Sequence, residues 1–278
     1  MLLPARDSRA FPSALDSADD AADLSRLEAR LPLLLSMIAG MVDSTGFFTL
    51  GHVFTAHVTG NIVLAAGVAV DGGSFHWAQL LAIPVFMLAL VTVWLVAQAS
   101  RRHGPSLARL LLLVQFLLLV TLLIFSVITK ASADPVGLLA GTAAMIAVSA
   151  MACQYALLRL AVPGAISTAV MTGNLANAVL SAMDLLTDRH PLLPHDSTPL
   201  NRSLGRLLGF LLGCVVAAAA ASLAGDWAWS LPSALAAVAI AVRRFIRCVD
   251  RFFPPIRTIH PLPCHRFDAK TRGRSPVR

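Results

Sequence analysis

Charge is what this chain has least of. Of its 278 residues only 13% are Asp, Glu, Lys or Arg, against roughly a quarter in an average soluble domain. From Leu31 to Arg278 there is no glutamate at all. The first scarcity excludes a soluble globular domain of ordinary composition. The second excludes His-Glu-x-x-His metal chemistry, and neither Ser-x-x-Lys nor a phosphate-binding glycine-rich loop with its lysine is present. The chain is therefore read as a non-enzyme, and no cofactor is implied. Cysteine is equally sparse: four residues, with Cys153 and Cys214 inside apolar segments, do not make a disulfide framework. Cys264-His265 with His260 nearby lacks the second ligand pair that a zinc site needs. Residues 1–31 have no apolar core of a signal peptide, so the first membrane segment is expected to direct insertion.

What is present is hydrophobic sequence, 57% of the chain. Eight apolar segments can be drawn, at about 32–50, 52–70, 78–99, 107–129, 136–160, 165–183, 204–224 and 227–242. Several of them reach the roughly 18 residues that suggest a membrane helix. The chain is expected to be an all-α, polytopic membrane helical bundle whose main partner is the lipid bilayer. It divides into a polar tail (1–31), a membrane domain (32–242) and a basic, proline-containing tail (243–278). The net charge of +7 comes from that last stretch, with ten basic groups against two acids. This is the pattern of a cytoplasmic anchor near anionic lipid, not of a nucleic-acid binder. The third and fourth segments are the most continuously apolar and are expected to face lipid.

Inside the apolar sequence lies a duplication. GHVFTAHVTGNIVLAAGVAVD at 51–71 and GAISTAVMTGNLANAVLSAMD at 164–184 share nine of 21 positions at an offset of 113, among them Thr55/Thr168, Thr59/Thr172, Gly60/Gly173, Asn61/Asn174 and Asp71/Asp184. The small, polar character of both copies predicts helices shielded by protein. Charge asymmetry then counts the crossings. If all eight segments span, Arg101, Arg102, Arg109 and Arg159 face outward. If the two Thr-Gly-Asn segments are re-entrant or broken, six spans remain, both termini are cytoplasmic, and thirteen arginines are inside with Lys130 alone outside. The positive-inside rule favours six. Three crossings per copy would turn the second copy over, giving an inverted repeat of about 32–129 and 136–242.

Asp43 is the only carboxylate within the body of an apolar segment. An ionised side chain at the bilayer centre costs at least about 2.5–3.5 kcal/mol, so it needs a partner, water or a proton. It is either a coupling group or a hydrogen-bonded packing residue. In each triplet Gly permits close approach or a break, Thr can cap a half-helix, and Asn offers donor and acceptor. Helix N-termini placed there would favour an anion or polar solute. The alternative is tight crossing, with Asn61 and Asn174 bonded to each other. The candidate substrate-binding set is Asp43, Thr59, Gly60, Asn61, Gln154, Thr172, Gly173, Asn174 and Asn177. Gln98, Gln115 and Gln154 read as buried amides, and such residues commonly bridge helices. His57 has no counterpart in the second copy, where Val170 stands; it can titrate with Asp43 or serve as a structural histidine.

Gly40-x-x-Asp43, Gly46-Phe47 and His57-Val58-Thr59-Gly60-Asn61 together resemble the YoaK-like family of bacterial membrane proteins, whose function is unassigned. The resemblance covers about 32–242. In the second half Ala152-Cys153-Gln154-Tyr155 keeps only the glutamine of the family's Gly-x-Gln-Asn pattern. The resemblance implies a bacterial inner-membrane protein and no particular substrate. The leading functional expectation is a transporter or channel for a small polar or anionic solute, bound between the two Thr-Gly-Asn elements. The rival is a structural or regulatory membrane protein without transport activity. Homo-oligomerisation is open.

Overall fold

Backbone that lies in hydrocarbon has no water to bond to and must close its own hydrogen bonds, which favours helix. The structure, a computed structural model, describes residues 14–71, 76–100, 104–161, 171–186 and 199–252. Among these residues there are eight α-helices and no strand. They are α1 (Ala14–Thr49), α2 (Gly60–Asp71), α3 (Trp77–Ala99), α4 (Gly104–Thr129), α5 (Leu138–Ala156), α6 (Met171–Leu186), α7 (Pro199–Ala224) and α8 (Ser230–Phe252). A π-helical turn, Leu157–Ala161, extends α5, and 3-10 turns occupy Ala131–Ala133 and Gly225–Trp229. The polar stretch from Ala14 is helical and continuous with the first apolar segment.

Five stretches are long and apolar enough to cross a membrane: Leu31–Thr49, Trp77–Ala99, Ser106–Thr129, Leu138–Leu160 and Ser203–Val242. The protein is thus an all-α polytopic membrane bundle. The last stretch has 40 residues and is broken at Gly225, which adopts φ +52°. Asp226 in that break accepts from the Ser132 amide (3.2 Å) and hydroxyl (2.8 Å), tying it to the α4–α5 turn. From there α8 returns along α4, and Ser233 reaches the carbonyl of Leu119 at 3.1 Å. Helices α7 and α8 are therefore antiparallel.

Glycine sets the closest helix contact. α1 packs along α7, and both run in the same direction: Gly209 meets Leu33, Gly213 meets Met37, and Gly40 meets Phe210 and Cys214. A Cβ on Gly40 or Gly213 would run into a backbone carbonyl of the other helix. Small residues at such crossings let backbones approach and gain dispersion contact. α5 forms the other inner helix, its alanines Ala140, Ala143, Ala144 and Ala147 fully buried. Between them, Gln154 donates to the carbonyl of Leu35 (2.9 Å) and accepts from Gln115 (2.7 Å), linking α1, α5 and α4.

Burial corrects one expectation and supports another. In α3 only 11% of the apolar window is buried, as a lipid-facing span requires, whereas α1 and α5 reach 61% and 67%. The helices of the duplicated element are not the shielded ones. α2 exposes Ile62, Val63 and Val70, and α6 exposes Leu175, Val179 and Leu180. Among the described residues α2 lies chiefly on α3 and α6 on α7, which leaves their other faces open. Gln98 is also exposed rather than buried.

Gly213→Ala and Gly40→Ala are expected to destabilise the protein by about 1–3 kcal/mol each, because the added methyl meets backbone that cannot rotate away. Gly67 and Gly205 have nothing within 4 Å of a Cβ, so their alanine variants are expected to be neutral or to gain up to about 1 kcal/mol from helix propensity. Thermal unfolding in detergent compares the four; equal effects at all of them would refute the close crossing.

Candidate functional site

Helix α1 ends in two left-handed residues, Gly51 (φ +72°) and His52 (φ +59°). They reverse the chain, so that residues 53–58 run back beside α1 without helical hydrogen bonds of their own. The α2 excursion returns to its starting end, since Gly51 and His76, on either side of it, are in contact. His76 is fixed there by accepting from Ala78 N–H (3.1 Å) and bonding the carbonyl of Pro135 (2.8 Å).

Asp43 supplies what this returning backbone lacks. Its Oδ1 accepts from Thr55 N–H (2.7 Å), Thr55 Oγ1–H (3.0 Å) and Ala56 N–H (2.6 Å), and its Oδ2 faces His57 Nδ1 at 2.5 Å. Asn61 performs the same service for Phe54. Its Oδ1 accepts from Phe54 N–H and its Nδ2 donates to Phe54 C=O, both at 2.8 Å. A Cβ on Gly60 would stand 3.0 Å from the Phe54 ring. In the first copy, then, Gly60 and Asn61 form a seat for Phe54.

Two expectations for the triplet fail on this geometry. Thr59 is exposed and does not cap α2. The first amides of α2 are not free to hold an anion, because Gly60, Asn61 and Ile62 N–H already donate to the carbonyls of His57, Val58 and Thr59 at 2.8–3.2 Å. The alternative pairing of Asn61 with Asn174 does not occur either, since both ends of the Asn61 amide hold Phe54.

A cavity of about 470 Å³ opens against this loop. Asp43, Ser44, Phe47 and Phe48 of α1 form one wall, and Phe54, His57 and Gly60 form the second. Phe210 and Cys214 of α7 close the third. His57 sits edge-on to Phe210, with ring centroids 5.1 Å apart. Its side chain is 29% exposed while that of Asp43 is 5% exposed. The carboxylate at the cavity wall is thus largely buried and pairs with a more exposed imidazole, whose Nε2 makes no hydrogen bond among the described residues.

Of the predicted site residues, only Asp43 and Gly60 line this cavity, with Asn61 directly behind it. Gln154 bridges Leu35 and Gln115 and is not among the described residues that line this cavity. Thr172, Gly173, Asn174 and Asn177 lie in the first turns of α6, which rests on α7, and none of them lines the cavity. Thr172 is exposed, and Asn174 is buried with its amide 4.0 Å from Met171 Sδ. The residues that would complete the second copy, 162–170, lie outside the described residues. Among the described residues, this cavity is lined by the first copy, α1 and α7, and not by the second triplet. Sequence reasoning missed Phe210 and Cys214, which arrive from α7 through the glycine crossing; the only signal for them was the small-residue spacing of Gly209 and Gly213. It underweighted His57, whose partner is visible only once the loop folds back.

A family described as "Protein of unknown function (DUF1275)" matches the chain over residues 31–242. The chain is also 40% identical over 77 residues to the UPF0700 transmembrane protein YoaK of Bacillus subtilis (strain 168), a stretch covering 26% of this chain and 33% of that protein. The match thus spans about a third of the length of the curated relative. No solved structure matches. The YoaK-like resemblance carried by Gly40 to Asn61 is confirmed by these findings.

Asn61→Ala would leave the Phe54 N–H and C=O without partners. An expected loss of about 2–4 kcal/mol follows from two unsatisfied backbone groups. Asn61→Asp keeps the acceptor and loses the donor, so it should fall between wild type and alanine in a detergent melting series. An alanine variant as stable as wild type would contradict the seat.

Proposed function

The chain belongs to the DUF1275 family of proteins of unknown function, and from the site it builds we propose that it is a proton-linked transporter of a small solute, binding in the cavity at Asp43 and His57. One observation carries the reading: a buried carboxylate at the wall of an apolar cavity is paired with an imidazole whose outer nitrogen makes no hydrogen bond among the described residues. Such a pair can take up and release a proton at the cavity wall, one of the established uses of ionisable groups inside membranes. No nucleophile is bonded to Nε2 among the described residues, which favours binding and proton exchange over catalysis.

The asymmetry of the repeat supports a functional rather than purely architectural role. At the 113-residue offset, Asp43 corresponds to Ala156 and His57 to Val170. The duplicated sequence element therefore exists in this chain without the pair. The rival reading, a structural or regulatory membrane protein, draws on the four bonds by which Asp43 holds the loop. Those bonds account for Asp43 but leave the open edge of His57 unexplained.

For the membrane arrangement we favour six crossings with two elements that enter and leave from the same side, in inverted orientation. The return of the chain from Gly51 to His76 and the antiparallel α7–α8 pair support it. Thirteen arginines on the inner side against Lys130 outside support cytoplasmic termini in a bacterial inner membrane, and the basic tail suits anionic lipid. Single cysteines placed in 71–76 and in 184–203 are then expected to label from opposite sides of the membrane; labelling from one side would overturn the inverted arrangement.

The transport reading is tested in proteoliposomes that carry a pH-reporting dye, challenged with small amines, amino acids and carboxylic acids. Wild type is expected to couple at least one solute to proton movement, and His57→Gln to reduce that flux about tenfold or more while eluting as an intact protein. Flux indistinguishable between wild type and His57→Gln for every solute would defeat the proposal.

A further inference from the structure

Among the described residues the cavity offers hydrogen-bond acceptors and aromatic surface, and its one hydroxyl, that of Ser44, is engaged with Cys214. Among the described residues no lysine or arginine lines it, and its phenyl rings are Phe47, Phe48, Phe54 and Phe210. The amides at the start of α2, which would have been the natural anion donors, are already bonded. When His57 Nδ1–H donates to Asp43, Nε2 presents a lone pair, backed by the carboxylate charge. An anion placed there would bring a second negative charge into poorly hydrated surroundings, whereas a cation would be neutralised by Asp43 and attracted to phenyl faces.

We infer that the cavity takes a small organic cation with an apolar body, its ammonium N–H donating to His57 Nε2. The inference rests on the transport reading for the role of the site and narrows its solute class. It also dictates how the proton and the solute are related. Nε2 can hold a proton or accept an ammonium hydrogen, but not both, so each displaces the other and the exchange is antiport. The other titratable or charged groups around His57 do not change this sense. Cys214 on α7 is a thiol, His52 lies across Phe47 at the end of α1, and Arg206 is buried one turn from Phe210 and lines no part of the cavity.

Cys214 reports occupancy, because it lines the cavity beside Ser44 and donates at 3.6 Å to the carbonyl of Gly40. The test uses the purified full chain in detergent and three probes of one shape: benzylammonium, benzyl alcohol and benzoate. Modification of Cys214 by methyl methanethiosulfonate is followed by peptide mass mapping, relative to probe-free protein at the same pH. Benzylammonium is expected to slow the reaction about tenfold near saturation, and the other two to change it less than about twofold. Protection should weaken as the pH is lowered, because the proton competes for Nε2. Phe48→Leu, at a ring that is 57% exposed and so dispensable for folding, should weaken protection by benzylammonium several-fold. Equal or greater protection by benzoate or benzyl alcohol, or none by benzylammonium at any pH, overturns the cation assignment. The two proposals fail separately. Protection by benzylammonium without any solute-driven proton flux removes transport and keeps the site, and flux with protection by benzoate removes the cation and keeps transport.

Discussion

Asp43 is the residue on which the first half of the molecule depends. Residues 53–58 are irregular backbone lying against apolar helices, a condition tolerated at membrane depth only where protein supplies the missing partners. The two oxygens of one carboxylate supply most of them, to Thr55, Ala56 and His57. Asn61 supplies the rest, to Phe54. Removing one member of such a network orphans several others, which is why a charge can persist in so apolar a chain. The same arrangement that folds the loop also delivers His57 to the cavity, so architecture and chemistry share their residues.

The loop would have no cavity to face without the α1–α7 crossing. Gly40, Gly209 and Gly213 bring those helices close enough that Phe210 and Cys214 stand opposite Asp43 and Phe47. Close approach through small residues is one of the few sources of helix affinity in lipid, where apolar burial between helices gains little. Packing here therefore sets the distance between the walls of the site, and the bulk of the phenyl rings sets its volume.

The duplicated halves have diverged in what they hold. The first triplet, Thr59-Gly60-Asn61, serves a loop anchored by a carboxylate; the second, Thr172-Gly173-Asn174, stands at the start of a helix laid on α7. Duplication preserved Thr-Gly-Asn in both copies, and of the cavity residues it shares Gly60 but not His57. The pair at the cavity differs between the copies, with Ala156 at the position of Asp43 and Val170 at that of His57.

Much of this was legible in the residues alone. Apolar runs, scarce charge and the arginine distribution determine a helical membrane bundle, because hydrocarbon thickness and backbone hydrogen bonding leave few other solutions. The single intramembrane carboxylate and the broken first element were also evident before any coordinates. The partners of Asp43, the seating of Phe54 by Asn61 and the arrival of Phe210 from the far end of the chain were not. Each depends on a reversal of the backbone or on a contact between residues distant in sequence, and one-dimensional spacing carries no information about either. Chemistry of single residues was thus written in the chain, and only tertiary structure decided which of those residues meet, since meeting is a property of the folded path and not of order along it.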